Sequence, residues 1–188
     1  NMNFYSVAPV IEKYYPQYYS IETYPMEECV PIRKVSDEWG IFCNFARTPI
    51  QYEGVMYKSA EQLFQTMKFT DEEVRKKVYA ANNPKMTAKH YEKTHRRSDW
   101  GKMIVDAMKQ CLLLKYEQCE EFRAALERSR GKYIVEDQST FPKKAADTWG
   151  VKLQGDSYVG PNLLGRLLME LREAKLEKNY NPKAKEII

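Results

Sequence analysis

Residues 39–69 read WGIFCNFARTPIQYEGVMYKSAEQLFQTMKF, and they pass from short apolar-aromatic pieces into a capped amphipathic helix. GIFCNF and IQYEGVMY suit short strands, and Glu53-Gly54 between apolar flanks predicts a hairpin turn. Ser59 with Gln62 three residues on forms a capping box that fixes where the helix starts. Ala60, Leu63, Phe64 and Met67 then take the positions that face a core. Glu61, Gln65 and Lys68 repeat that spacing one residue later, so at about 100° per residue they line the edge of the buried face. An acid, an amide and an amine arranged in this way suit the wall of a pocket. Equally, Glu61 in the first turn and Lys68 in the last suit the helix dipole without any chemistry.

Beyond this stretch helices predominate. Asn83-Pro84 reads as a cap followed by proline at the first helical position, opening a helix to about Lys93. Ile104, Met108, Leu112 and Tyr116 recur every four residues within a helix from about Asp99 to Tyr116. A further helix covers about Glu120 to Ser129 and stops at Gly131. KYIVE (132–136) is a strand, and Leu164, Leu167, Leu168 and Leu171 form the core stripe of a last helix from Asn162 to about Leu176. Strands fall early and in the middle without βαβ alternation. The expected class is therefore α+β, a single helix-rich domain with a small β-sheet. It occupies 36–177, behind a Tyr-rich arm at 1–35 and ahead of a tail at 178–188. The arm, with EKYYPQYYSIETYP, has no clean period and suits a lid, a stacking surface for bases, or padding against the domain.

The whole chain, 188 residues with 43% hydrophobic, 13% aromatic and 30% charged residues, has a globular composition. No apolar run approaches the ~20 residues that span a bilayer. With no secretory pattern at the start, a cytoplasmic location is expected, and Cys29, Cys43, Cys111 and Cys119 are expected as unbridged thiols. His90 and His95 sit on different helix faces, so neither a metal nor another cofactor is expected. Net charge is +4, yet between Arg75 and Lys102 nine Lys or Arg face only two acids. That segment would attract a phosphate-bearing partner, with Arg96 and Arg97 as the phosphate contacts, or serve simply as a solvated helical face.

The long stretch quoted first, followed in order by RRSDW (96–100), YIVED (133–137), DTWG (147–150) and NLLGRLLMELR (162–172), closely resembles the NADAR, or YbiA-like, superfamily. The resemblance runs from about Val35 to Leu176. It implies an N-glycosidase that breaks a ribose–nitrogen bond. Family substrates include ADP-ribose on guanine in nucleic acid and phosphoribosylated aminopyrimidine intermediates of riboflavin synthesis. Carried over by motif, Glu61 would be the general acid/base and Lys68 the amine nucleophile. Asn44 and Gln65 would orient the sugar, and Trp100, Asp147, Trp149 and Asn162 would contribute to substrate binding. The partner implied is ADP-ribosylated nucleic acid or a nucleotide-like small molecule, with no membrane and no metal.

The chemistry suits these residues. Expulsion of a nitrogen leaving group builds positive charge at the anomeric carbon, which a carboxylate stabilises while an acid protonates the base. A neutral amine attacking that carbon would hold the opened ribose as a Schiff base. Trp149 and Trp39 also suit a core, and Asn162 a helix cap. A non-catalytic ADP-ribose-binding module is the alternative from another class. Cys43 stands where the family usually has Ser, Asp147 lies one residue closer to Trp149 than is common, and the arm has no clear family counterpart.

Overall fold

In a computed structural model, residues 5–142 and 145–176 are described; the expected tail lies outside them. Along the chain run β1 (Tyr5–Ser6), α1 (Pro9–Tyr14), β2 (Glu22–Pro25), β3 (Cys29–Ile32), β4 (Ile50–Tyr52), β5 (Val55–Tyr57), α2 (Ala60–Met67) and α3 (Glu72–Ala80). Then follow α4 (Pro84–His95), α5 (Trp100–Gln118), α6 (Glu120–Arg128), β6 (Tyr133–Glu136), β7 (Ala146–Asp147), β8 (Lys152–Gln154), β9 (Ser157–Gly160) and α7 (Leu163–Arg172). This is an α+β architecture, with the chain clustering into two compact units, one of 5–43 and 123–176 and one of Asn44–Phe122.

The Asn44–Phe122 unit is helical apart from the β4–β5 hairpin. Ile50 pairs with Tyr57 and Tyr52 with Val55, and the turn residues Glu53 and Gly54 both take positive φ, 49° and 79°. Both central residues of a tight hairpin turn need that conformation, as Glu53-Gly54 led us to expect. Ser59 Oγ accepts the Gln62 N–H at 3.1 Å, so α2 starts where the capping signal put it. The reciprocal bond reaches one residue further back, with Gln62 Oε1 accepting the Lys58 N–H at 2.6 Å. Asn83 caps α4 through the Met86 N–H. Helix α3, capped by Asp71, escaped the sequence reading because only Val74 and Val78 are buried on it. They pack with Phe69 and Ala88 in a core cluster, beside Tyr91. Helix α2 thus lies against α3, α4 and α5.

In the other unit β2–β9–β8 form an antiparallel sheet, while β3 pairs with β6 and β1 with β7 in parallel. Tyr24, Val135, Val151 and Tyr158 form a core cluster there. Tyr15, Tyr18 and Tyr24 are buried, the padding role among the three open to the Tyr-rich segment. GIFCNF is not a strand: Gly40–Phe42 make a turn of 3₁₀ helix, which brings Trp39 and Phe42 into a stack at 5.6 Å. Residues three apart eclipse in such a turn. Helix α7 ends at Arg172, before the expected Leu176, and Ala174 follows with a φ of 57°.

Candidate active site

Every residue of α2 is buried, so Glu61 and Gln65, expected at the rim of the buried face, lie inside it. Glu61 is 6% exposed and Gln65 2%. The reason lies outside the helix. The Asn44 carbonyl accepts the Glu61 N–H at 2.9 Å, which lays the preceding loop across the first turn of α2. Gln65 Nε2 donates to Glu61 Oε1 at 2.7 Å, and Asn44 Nδ2 donates to Met108 Sδ at 3.4 Å, a weak acceptor. The opposite amide oxygens, Asn44 Oδ1 and Gln65 Oε1, are buried with no hydrogen-bond partner among the described residues. A buried acceptor without a donor costs about 1–3 kcal/mol. Both belong to residues bonded to Glu61, Gln65 through its side chain and Asn44 through its carbonyl, so two acceptors suited to hydroxyl donors lie in the interior near the carboxylate. The negative charge of Glu61 is felt on α5, where burial first, and Glu61 second, push the Cys111 thiol well up from its ordinary range.

Lys68 is the residue on which α2 ends. Its side chain is 12% exposed, and its Nζ lies 2.7 Å from Glu92 Oε1 on α4 and 5.8 Å from the centre of the Phe64 ring, one turn back towards Glu61. Helical side chains lean towards the N-terminus, which carries the amine in that direction. Sequence reading missed Glu92. The available signal was its isolation, since it is the only acid between Arg75 and Arg97.

The neighbouring motif is mostly structural. Arg97 is 7% exposed and grips both carboxylate oxygens of Asp99 at 2.6 and 3.1 Å. Its backbone N–H donates to the Lys68 carbonyl at 2.9 Å, so it supports the lysine, while Nε and Nη2 of its guanidinium hold Asp99. Trp100 is 3% exposed and packs on Phe64 at 5.3 Å, a core position with no open face for a base. Arg96 is exposed, its backbone bridged to Phe69.

Asp147, Trp149 and Asn162 belong to the unit of 5–43 and 123–176. Asp147 Oδ1 accepts from Gln138 Nε2 at 2.6 Å and from the Trp149 N–H at 2.8 Å, which shapes the loop that holds the half-buried Trp149. Asn162 is fully buried in left-handed conformation, with φ 51°. Its side chain does not cap α7. Oδ1 accepts the Glu136 N–H and Nδ2 donates to the Ile134 carbonyl, each at 3.0 Å, tying β6 to the helix. The Leu163 and Leu164 N–H groups bond the carbonyls of Thr148 and Trp149, so they are not held ready for an anion. Gly165 completes the motif because a Cβ there would stand 2.2 Å from the Ile134 oxygen. All four cysteines are reduced thiols. Among the described residues no helix is long and apolar enough to cross a membrane, and no His, Cys, Asp or Glu cluster could hold a metal.

Comparison with known proteins points the same way. The NADAR domain matches residues 32–175. N-glycosidase YbiA of Escherichia coli (strain K12) is 34% identical over 140 residues, covering 73% of this chain and 82% of that protein. YbiA of Shigella boydii has the same identity and coverage, and an N-glycosidase of Nostoc punctiforme is 27% identical over 145 residues. The solution structure of Escherichia coli YbiA superposes with a TM-score of 0.63 at 29% identity, over 83% of this chain and 93% of that one. The chain belongs to the NADAR family.

Proposed function

We propose that this chain is an N-glycosidase that removes ADP-ribose from guanine in nucleic acid, with Lys68 as nucleophile and Glu61 as general acid/base. The observation that carries the reading is the buried Glu61 carboxylate bonded by Gln65, with two acceptor oxygens, Gln65 Oε1 and Asn44 Oδ1, that have no donor among the described residues. Ribose hydroxyls are the natural donors for them. The adjoining amine supplies the covalent route.

In the proposed reaction Lys68 Nζ passes a proton to Glu92 and attacks the anomeric carbon. The C–N bond to guanine breaks as the new C–N bond to Lys68 forms, and Glu61, which takes up a proton from solvent as substrate binds, delivers that proton to the departing base. The Lys68 nitrogen, now positively charged, gives one of its protons to the Glu61 carboxylate; its freed electron pair forms a C=N bond as the bond to the ring oxygen breaks, and Glu61 passes that proton on to the ring oxygen. Water, deprotonated by the Glu61 carboxylate, then adds to that carbon and releases the sugar and the amine. The position of Lys68 Nζ over the Phe64 ring, one helical turn towards Glu61, supports this order of steps.

The choice of a nucleic acid over a phosphoribosylaminopyrimidine rests on charge. Both acids in the basic segment are spent on cations at the site, Glu92 on Lys68 and Asp99 on Arg97, so Lys85, Lys89, Lys93 and Arg96 remain as an exposed, uniformly positive series. Such a series suits a phosphate backbone. The test is incubation with an oligonucleotide bearing ADP-ribosylated guanine and, separately, with the aminopyrimidine, following base release by mass spectrometry. Release from the oligonucleotide that disappears in Lys68→Ala supports the reading. Release from the aminopyrimidine alone would replace the substrate, and no release from either would remove the chemistry.

A further inference from the structure

Beside the start of α2, within the Asn44–Phe122 unit, lies a pocket that no step above uses. Its rim is formed by Phe45, Arg47, Lys58 and Asn82, and its floor by Ser59 and Gln62. The floor is satisfied internally, because Ser59 and Gln62 are engaged in capping α2, and Gln62 Nε2 also donates to the Tyr79 carbonyl at 2.7 Å. The rim is different. Phe45 is 46% exposed, an unusual position for a phenyl ring, and Arg47 and Lys58 are exposed and form no ion pair among the described residues.

The hairpin explains why the two cations meet. Arg47 lies three residues before Ile50 and Lys58 one residue after Tyr57, and since Ile50 faces Tyr57 in the antiparallel pair, both cations flank the open end of the hairpin. Two cations outside any ion pair among the described residues, lining one pocket with an exposed aromatic ring, present the recognition chemistry of a nucleotide, charge for phosphate and a ring for a planar base or sugar face. The position is also informative. Asn44, whose carbonyl holds the Glu61 N–H, is followed directly by Phe45, so the wall facing the sugar and the aromatic rim are consecutive residues about 3.8 Å apart at Cα.

We propose that Phe45, Arg47 and Lys58 form a subsite for the diphosphate of a nucleotide-bearing substrate, Arg47 and Lys58 contacting phosphate oxygens and Phe45 covering the adjoining planar group. As a substrate subsite this rests on the glycosidase reading, but as a nucleotide site it is testable without turnover. Titration calorimetry with ADP, ADP-ribose, adenosine and an unmodified single-stranded oligonucleotide gives the answer. ADP and ADP-ribose are expected to bind, with adenosine weaker by about tenfold or more. Arg47→Ala with Lys58→Ala should weaken ADP by a further factor of about ten and leave adenosine unchanged, while Phe45→Ala weakens both. Because all three side chains are exposed, thermal melts should match the parent chain, which keeps the comparison interpretable. Equal affinity for ADP and adenosine, or for ADP in the parent and the double variant, overturns the proposal. So does a loss confined to the unmodified oligonucleotide, which would assign the cations to the strand. ADP binding that survives in Glu61→Gln, together with absent base release in the parent chain, would retain the subsite while the glycosidase reading fails.

Discussion

Lys68 and Glu92 stand 24 positions apart in the chain, on different helices, yet the lysine Nζ lies 2.7 Å from the glutamate carboxylate. The pair is asymmetric, with the Lys68 side chain 12% exposed and that of Glu92 31%. The amine is thus turned into the protein while its partner keeps contact with water, an arrangement that suits a base receiving a proton and releasing it to solvent. Lys68→Ala should abolish turnover. Lys68→Arg should not restore it, because a guanidinium stays charged and cannot attack. Glu92→Gln, which keeps the shape and one acceptor oxygen, should lower kcat by about 10²-fold with little change in KM, the usual size of a general-base contribution. Steady-state base release across the three variants decides it. An unchanged kcat in Glu92→Gln would make the carboxylate a tether only.

Glu61 is tested in a different manner, because it is buried and removing its charge has consequences beyond chemistry. Glu61→Gln keeps the volume and removes a charge whose burial is costly. The variant should be as stable as the parent or more so, while kcat falls by about 10²- to 10⁴-fold. Gln65→Leu deletes a buried acceptor that has no donor but also removes the bond from Nε2 to the buried Glu61 carboxylate, so it should lose no more than about 1–3 kcal/mol while raising KM by weakening the hold on the sugar. Thermal melts beside kcat and KM separate the two roles. A large loss of stability in Gln65→Leu would show that the amide is structural.

Asn162 and Gly165 form the opposite case, residues of a family motif whose contacts are with the protein's own backbone. Asn162→Ala removes both bonds to β6 and leaves the Glu136 N–H and the Ile134 carbonyl unpaired in the interior. The expected loss is about 2–4 kcal/mol from two buried groups. Gly165→Ala must displace the Ile134 carbonyl, which stands 2.2 Å from the added carbon, and should cost about 1–3 kcal/mol or more. Urea unfolding at neutral pH measures both. Near-parent stability in Asn162→Ala would return that residue to the substrate-binding set.

Local chemistry explains which parts of the fold could be read from sequence. The β4–β5 turn, the start of α2 and the start of α4 are each encoded by residues within a few positions, Glu53-Gly54, Ser59 and Asn83-Pro84. Elements whose stability comes from distant partners were not legible. Tyr24 on β2 pairs with Tyr158 on β9, and Val30 on β3 with Ile134 on β6, so an aperiodic Tyr-rich segment gives no hint that it enters two sheets. Helix α3 shows only two buried apolar positions, below what periodicity detects. At the site, helical spacing set Glu61, Gln65 and Lys68 on one side of α2. The depth of their burial depends on the Asn44 loop, and the partner of Lys68 comes from another helix, so neither follows from spacing.

The clearest pH dependence lies away from the site, in the Arg33–Asp137–Tyr158 cluster. Burial raises the Asp137 carboxyl, but hydrogen bonds from Ser139 and Arg33 and the guanidinium charge outweigh it, leaving the group below its ordinary value. Arg33 Nε donates at 2.7 Å, and Tyr158 Oη at 3.2 Å. A carboxyl depressed in the folded state stabilises the fold at every pH above its unfolded value, about 3.9, and that contribution is lost as pH falls through the lower folded value. Asp137→Asn should therefore be less stable than the parent at neutral pH, and the gap between them should close on acidification below about pH 4. Arg33→Ala should behave likewise by a smaller amount, because the Arg33 side chain is 49% exposed and water screens its charge. Urea midpoints of the three proteins from neutral to acid pH give the comparison. A gap between parent and Asp137→Asn that stays constant down to the acid limit would mean that the carboxylate contributes through hydrogen-bond geometry, which the amide disrupts at any pH, and not through its charge.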